Sequence, residues 1–208
     1  MMILNNFIVF EGIDGSGTST QLSLIKERHP DKKLFFTAEP TNSPIGLFIR
    51  SILKGELEIA PSTMAYLFAS DRNEHLYGRE GILAQKENGF IVFSDRYLFS
   101  SLAYQNPICP EGLPEKLNEN FPLPEYLFYF DIEPEESLSR VHMRGETEIY
   151  ETLSIQRQTQ AEYKKILSAY KEKNIPGMHI VEIDARKPIE VVYQKIMDTL
   201  VNLPIYTK

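Results

Sequence analysis

The stretch GIDGSGTST, residues 12–20, comes close to the phosphate-loop pattern G-x-x-x-x-G-K-[ST]. Gly12, Gly17 and Ser19 stand at the required offsets, and Thr18 occupies the lysine position. Glycines in such a loop let successive backbone N–H groups converge on phosphate oxygens, and the helix that follows adds the positive end of its dipole. Ser19 is placed to offer its hydroxyl to a Mg²⁺ shared with those phosphates. What is missing is one mobile positive charge. Two other readings compete: an ordinary glycine-rich turn, and a dinucleotide fingerprint, because Gly15-Ser16-Gly17 reads G-x-G. The fingerprint fares poorly, since Thr20 stands where its third glycine belongs.

Three further groups of residues carry chemistry. In SDRYLFSSLAYQN, Asp95 is suited to hold the magnesium, and Arg96 offers a planar fork of donors for a phosphoryl group. Alone, such a pair reads as a surface ion pair; its place after an apolar run, at a strand's carboxyl end, reverses that reading. Ser101 and Gln105 are four apart and share a helix face, and a Gln amide, donor and acceptor together, suits a pyrimidine edge. In YLFASDRNEH, Phe68 and Arg72 also share a face, an aromatic plane with a cation beside it that can stack on a base and bond its carbonyl. The plain alternative for Phe68 is a core position.

Such groups need a scaffold that brings strand ends together. Short apolar runs at residues 7–10, 33–37, 90–94, 126–131 and 179–183 alternate with amphipathic stretches, the pattern of β-α units and a parallel sheet. Helices are expected over 19–29, 43–54, from 61 to about 87, 134–143, 152–173 and 189–201. The fold class is therefore α/β: a doubly wound, five-stranded parallel sheet flanked by helices, with ligands beyond the strands' carboxyl ends. The 208 residues suit one domain. A net charge of −7 argues against a broad nucleic-acid face but not against a local anion site. The single cysteine, Cys109, cannot form an internal disulfide. The opening residues lack a basic n-region and a cleavage site, and no apolar run approaches a membrane span, so a cytoplasmic protein is expected.

Taken together, FEGIDGSGTSTQ, TAEPTNSPIG, YLFASDRNEH, SDRYLFSSLAYQ, YFDIEPEESLSR, RGETEIYE and the late IDA resemble the thymidylate kinase family, the dTMP kinases of the nucleoside-monophosphate kinase group, in its bacterial type. The resemblance runs over nearly the whole chain. It implies a P-loop NTPase-type fold, residues 1–208 as one kinase domain, and a short lid at about 143–151. Gly12, Ile13, Asp14, Gly15, Ser16, Gly17, Thr18, Ser19 and Thr20 would hold ATP, with Asp184, Ala185 and Arg186 near its adenine. Phe68 would stack on thymine, while Arg72, Gln105 and Ser101 read its edge. Asp14 would approach the sugar hydroxyl, and Tyr104 would crowd the 2′ position. Arg96 and Arg50 would take the monophosphate beneath a loop shaped by Pro40, and Ser19 and Asp95 would hold Mg²⁺. A homodimer is implied as well.

Three positions depart from the family pattern: Thr18 for the loop lysine, Ala38 for the arginine before Glu-Pro, and Ile149 where many bacterial members carry a lid arginine. The expected mechanism assigns catalysis to Asp95, Arg96, Arg140 and Arg144, with Arg140 or Arg144 taking over the lost charge as the lid closes. The expected reaction is phosphorylation of dTMP by ATP-Mg²⁺ toward dTTP. The rival expectations are a nucleotide-binding homologue with impaired catalysis and a kinase for another nucleoside monophosphate. A GTPase switch is disfavoured because no N-K-x-D stretch is found.

Overall fold

A computed structural model describes residues 2–143, 148–201 and 203. Its elements run β1 (Ile3–Gly12), α1 (Thr18–Arg28), β2 (Leu34–Ala38), α2 (Pro44–Leu53), α3 (Pro61–Tyr77), α4 (Ile82–Glu87), β3 (Ile91–Asp95), α5 (Leu98–Gln105), α6 (Leu113–Asn118), β4 (Leu123–Asp131), α7 (Pro134–His142), α8 (Leu153–Lys173), β5 (His179–Asp184) and α9 (Ile189–Leu200). The strands form one parallel sheet in the order β2-β3-β1-β4-β5. This is the five-stranded α/β arrangement that the alternating runs predict, flanked by helices.

The register explains why the strand ends matter. Phe10 and Ala38 both pair with Asp95, so the carboxyl ends of β1, β2 and β3 finish abreast. Central β1, β3 and β4 are apolar on both faces: Phe7, Ile8, Val9, Phe10, Val92, Phe93, Leu127 and Phe128 are fully buried. Such double burial is why these runs read as continuous rather than alternating. A second, smaller cluster sits beneath α2 and α3. Ile49, Ile52, Leu53 and Met64 form it, and Phe68 and Tyr150 pack against it.

Several elements differ from expectation: β1 runs Ile3–Gly12 where 7–10 was expected, and α5 stands outside the expected helices. The long helix from residue 61 is broken: α3 ends at Tyr77, and α4 begins at Ile82. Gly78 and Gly81 make the break, where the backbone folds so tightly that a Cβ at Gly78 would strike Glu74 and one at Gly81 the His75 carbonyl. β4 starts earlier than the apolar run, at Leu123, and contains Pro124. The proline is tolerated because β4 pairs there with β1 alone, β5 joining only from Tyr126. The short α6 was not foreseen. It carries Asn118, which reaches the site described next.

Candidate active site

The loop between β1 and α1 turns through Gly15 (φ 79°) and Gly17 (φ 97°), a left-handed region that only glycine enters freely. Gly15 has a second constraint, since a Cβ there would run into the Ser137 carbonyl of α7. Gly17 ends the loop as the N-cap of α1, with no side chain capping that helix and no acidic residue in its first turn. The first N–H groups of α1 are therefore left for an anion. Thr18, 9% exposed, opens the helix. Ser19 follows, its hydroxyl donating to Asp95 Oδ2 at 2.5 Å. Two hard oxygen ligands thus meet at the loop, a set that suits Mg²⁺ completed by phosphates and water.

Asp14 and Arg96 form the hub beside the loop. Arg96 donates to Asp14 Oδ1 at 2.5 Å, to the Gly12 carbonyl at 2.8 Å and to Ser100 Oγ at 3.2 Å, and its guanidinium lies 5.4 Å from the centre of the Tyr104 ring. Burial opposes the charge on Arg96, but Tyr104, Asp14, Tyr163 and Asp95 together outweigh it and hold its pKa well above the usual arginine range. The other oxygen of Asp14 accepts from Tyr104 Oη at 2.9 Å and Gln156 Nε2 at 2.7 Å. Gln156, fully buried on α8, also takes the Asp14 N–H at 3.1 Å and donates to the Tyr150 carbonyl at 2.9 Å. It therefore links the loop to the segment that follows residue 147.

The opposite wall is built on α3. Arg72, 1% exposed, donates through Nε and Nη2 to Glu39 Oε2 at 2.9 and 2.6 Å, through Nη2 to Ser101 Oγ at 2.9 Å and through Nη1 to Asn118 Oδ1. Those bonds use four of its five N–H groups. His75 Nδ1 lies 2.9 Å from Glu39 Oε1. Burial pushes the Glu39 carboxyl up, yet Arg72 and His75 more than offset this and hold it below its usual range. Asp71, the neighbour of Arg72, accepts from Thr41 N–H, Thr41 Oγ1 and Ser43 Oγ, which fixes the loop after Pro40. Arg50 donates to the Pro40 carbonyl, while its Nε has no hydrogen-bond partner.

These walls enclose a cavity of about 400 Å³. Of the residues singled out from sequence, Ile13, Asp14, Gly15, Gly17, Thr18, Ser19, Pro40, Arg50, Phe68, Arg72, Asp95, Arg96, Ser101, Tyr104 and Gln105 line it together. Gln105 is 2% exposed and its Oε1 lacks a partner, a buried acceptor waiting for a donor. Gly12 at the end of β1, Ser16 in the loop and Thr20 in α1 do not line the cavity. Arg140 does not line it either: both its Nη atoms donate to the Ala185 carbonyl at 3.1 Å, and Nη2 also bonds Glu136. This straps α7 to the turn after β5, where Arg186 pairs with Asp184 at 2.7 Å. Arg144 lies outside the described residues.

Ala38 and Ile149, the other departures, are both placed. Ala38 ends β2 against the cavity, and the Ile149 N–H bonds the Leu53 carbonyl at 2.9 Å, docking residues 148–151 on α2. That docking adds lining residues the sequence reading missed: Glu148, Tyr150 and Glu151, along with Glu39, Tyr97 and Ser100. Burial, with Asp14 and Glu151 nearby, pushes the Glu148 carboxyl up. The EP pair and the RGETEIYE stretch were the available signals for Glu39 and Glu148.

A phosphate loop on a parallel sheet, with Ser19 and Asp95 joined at its mouth and an aromatic, amide and arginine slot across the cavity, defines a P-loop nucleotide kinase. Its family follows from comparison. The thymidylate kinase family model matches residues 10–196. A putative thymidylate kinase of Treponema pallidum is 45% identical over 203 residues, covering 96% of this chain and 97% of the relative. A probable thymidylate kinase of Methanococcus maripaludis is 37% identical, with 96% of each chain covered. A thymidylate kinase of Leptospira borgpetersenii is 37% identical, covering 92% of this chain and 91% of its own. The chain belongs to the thymidylate kinase family.

Proposed function

We propose that this chain transfers the γ-phosphoryl group of ATP to the 5′-phosphate of dTMP, giving dTDP and ADP on the way to dTTP for DNA synthesis. One observation carries the reading: a single cavity joins the uncapped start of α1 to a slot made by Phe68, Arg72, Ser101 and Gln105. Phosphoryl transfer is mostly alignment and charge neutralisation, and the two ends of this cavity divide those tasks. The loop N–H groups take the ATP phosphates. Arg96 and Arg50 take the dTMP phosphate, Arg96 already braced by Asp14 and Gly12. Phe68 stacks on thymine, the free Gln105 Oε1 accepts from its N–H, and Arg72 has one Nη1 hydrogen left to give a carbonyl. Tyr104, held by Asp14, walls the sugar where a 2′-hydroxyl would project.

Ser19 and Asp95 are the residues that would hold Mg²⁺, which when bound neutralises phosphate charge and orients the transferred group. The Asp184–Arg186 turn forms the adenine side, fixed to α7 by Arg140. Arg144, in a lid at about 143–151 of a single kinase domain spanning 1–208, supplies on closure the charge that Thr18 lacks. The protein works as a cytoplasmic homodimer on small nucleotides, without nucleic acid. Among the described residues, no helix is long and apolar enough to cross a membrane.

Thr18 favours a second reading, a homologue that binds nucleotides but turns over slowly. A coupled ADP-release assay with dTMP, dUMP, dCMP and dGMP tests both. Saturable ADP release with dTMP preferred supports the kinase; tight dTMP binding in calorimetry without ADP release supports the impaired homologue. Preference for dGMP or dCMP overturns the thymine slot.

A further inference from the structure

Glu11 is the penultimate residue of β1 and is completely buried. A carboxylate in that position is costly unless its lone pairs are taken, and here they are. Oε1 accepts from the backbone N–H of Tyr97 at 2.8 Å and of Ser100 at 3.2 Å. Oε2 accepts from Ser100 Oγ at 2.5 Å and Tyr163 Oη at 2.9 Å. Tyr97 is the N-cap of α5, Ser100 lies in its first turn, and no side chain of its own caps that helix. Glu11 therefore caps α5 from a neighbouring strand, satisfying donors that would otherwise be orphaned.

The residue before this cap is Arg96, with φ 72°. The left-handed region is unfavourable for a residue with a side chain, so surrounding contacts must hold it there. Glu11 fixes the chain on its C-terminal side by taking the Tyr97 N–H, while the Arg96 N–H bonds the Phe10 carbonyl at 2.9 Å on the other. Through Ser100 the same carboxylate reaches the guanidinium, since Ser100 Oγ donates to Glu11 and accepts from Arg96.

We propose that Glu11 is a positioning residue for phosphoryl transfer, setting the backbone and guanidinium of Arg96 through the α5 cap and Ser100 so that the acceptor phosphate is held in line. The inference rests on the proposed role of Arg96. Burial pushes the Glu11 carboxyl up to about 7, against the pull of Ser100, Arg96 and Tyr163. The groups facing it are Arg96 from the turn after β3, Tyr97 and Ser100 from α5, and Tyr163 from α8; burial holds the Tyr163 phenol well above its usual range. Asp14 and Tyr104 brace Arg96 from its other side. Arg96 is therefore held fully only when Glu11 is ionised, which makes the rate rise through neutral pH.

The test measures ADP release with dTMP and ATP-Mg²⁺ from pH 5.5 to 9 for wild type, Glu11→Gln, Ser100→Ala, Arg96→Ala and the Glu11→Gln/Arg96→Ala pair, with thermal melting of each. Glu11→Gln should lower kcat about tenfold, the scale of a modest misalignment, with KM for ATP unchanged. Its pH profile should lose the inflection near 7 and keep only the fall near about 6 set by the nucleotide phosphate. The double variant should be no slower than Arg96→Ala. A folded Glu11→Gln with wild-type kcat and pH profile overturns the inference, as does a double variant whose losses multiply. If Glu11→Gln does not fold, Ser100→Ala decides: a severalfold loss of kcat supports the inference, and a kcat within twofold of wild type overturns it. A harmless Arg96→Ala sinks the reading of Arg96 and the inference together. A crippled Arg96→Ala beside an unaffected Glu11→Gln sinks only the inference.

Discussion

Restoring the missing cation, Thr18→Lys, is the most direct perturbation of this site. Thr18 opens α1 and lines the same cavity as Ser19, Asp95 and Arg96, so a lysine there would extend toward the phosphates proposed to sit at the helix start. An ammonium about 4 Å from a phosphoryl oxygen interacts by roughly 4 kcal/mol at an effective dielectric of 20. Asp95 and Asp14 line the same cavity and compete for that ammonium in the empty enzyme. A net gain of about 2–3 kcal/mol in the transition state remains, or roughly 30- to 150-fold in turnover. The assay is coupled ADP release at saturating dTMP and ATP, with a dTMP-free blank for wasted hydrolysis. Arg144→Ala belongs in the same series. It should cost the wild type at least about tenfold, as loss of a transition-state donor does, and the Thr18→Lys enzyme much less, since the new lysine then carries the charge. A Thr18→Lys turnover within threefold of wild type, at unchanged melting temperature, refutes the reasoning that position 18 lacks a needed charge. An undisturbed Arg144→Ala refutes compensation by the lid.

Arg72→Met leaves Glu39 buried without its guanidinium, and urea unfolding should show a loss of about 3–5 kcal/mol, much of it recovered when Glu39→Gln is added. For Glu11, whose folded carboxyl holds its proton up to about 7 against an ordinary 4.5, stability is fullest below 4.5 and declines as pH rises through 7. The decline should reach roughly 3 kcal/mol between urea midpoints at pH 4.5 and 8, and Glu11→Gln should flatten it. Chelating Mg²⁺ with EDTA should abolish turnover. Ser19→Ala should raise the Mg²⁺ concentration for half-activation about tenfold or more, an outcome read by metal titration.

Contiguous motifs were legible because one local element carries them. The phosphate loop, the Asp95-Arg96 pair and the Phe68/Arg72 and Ser101/Gln105 faces each depend on spacing of seven residues or fewer, which fixes their relative placement once a helix or strand forms. The partnerships were not legible. Glu39 meets Arg72 across 33 residues, Asn118 meets Arg72 across 46, and Gln156 meets Asp14 across 142, and only the packed sheet brings them together. Arg140 illustrates the same gap: its bonds to the Ala185 carbonyl, across 45 residues, had no local signal. The broken helix had a readable cause in Gly78 and Gly81, but the end signals at Pro61 and Asn88-Gly89 enclose both segments and masked it.

The small apolar cluster under α2 and α3 gives the cavity wall that carries Phe68 and Arg72 a cohesion of its own. Ile49, Ile52, Leu53 and Met64 bind those helices to each other, not to the main core, with Phe68 and Tyr150 packed on their edge. A satellite core of this size opens at lower free energy than the central sheet, so amide protons of α2 should exchange with solvent well before those of β1. In the proposed site, a base seated against Phe68 and Gln105 would bridge the satellite to the body of the protein. Substrate so placed would act as mortar between two masses, and its arrival should slow exchange across α2 as a block.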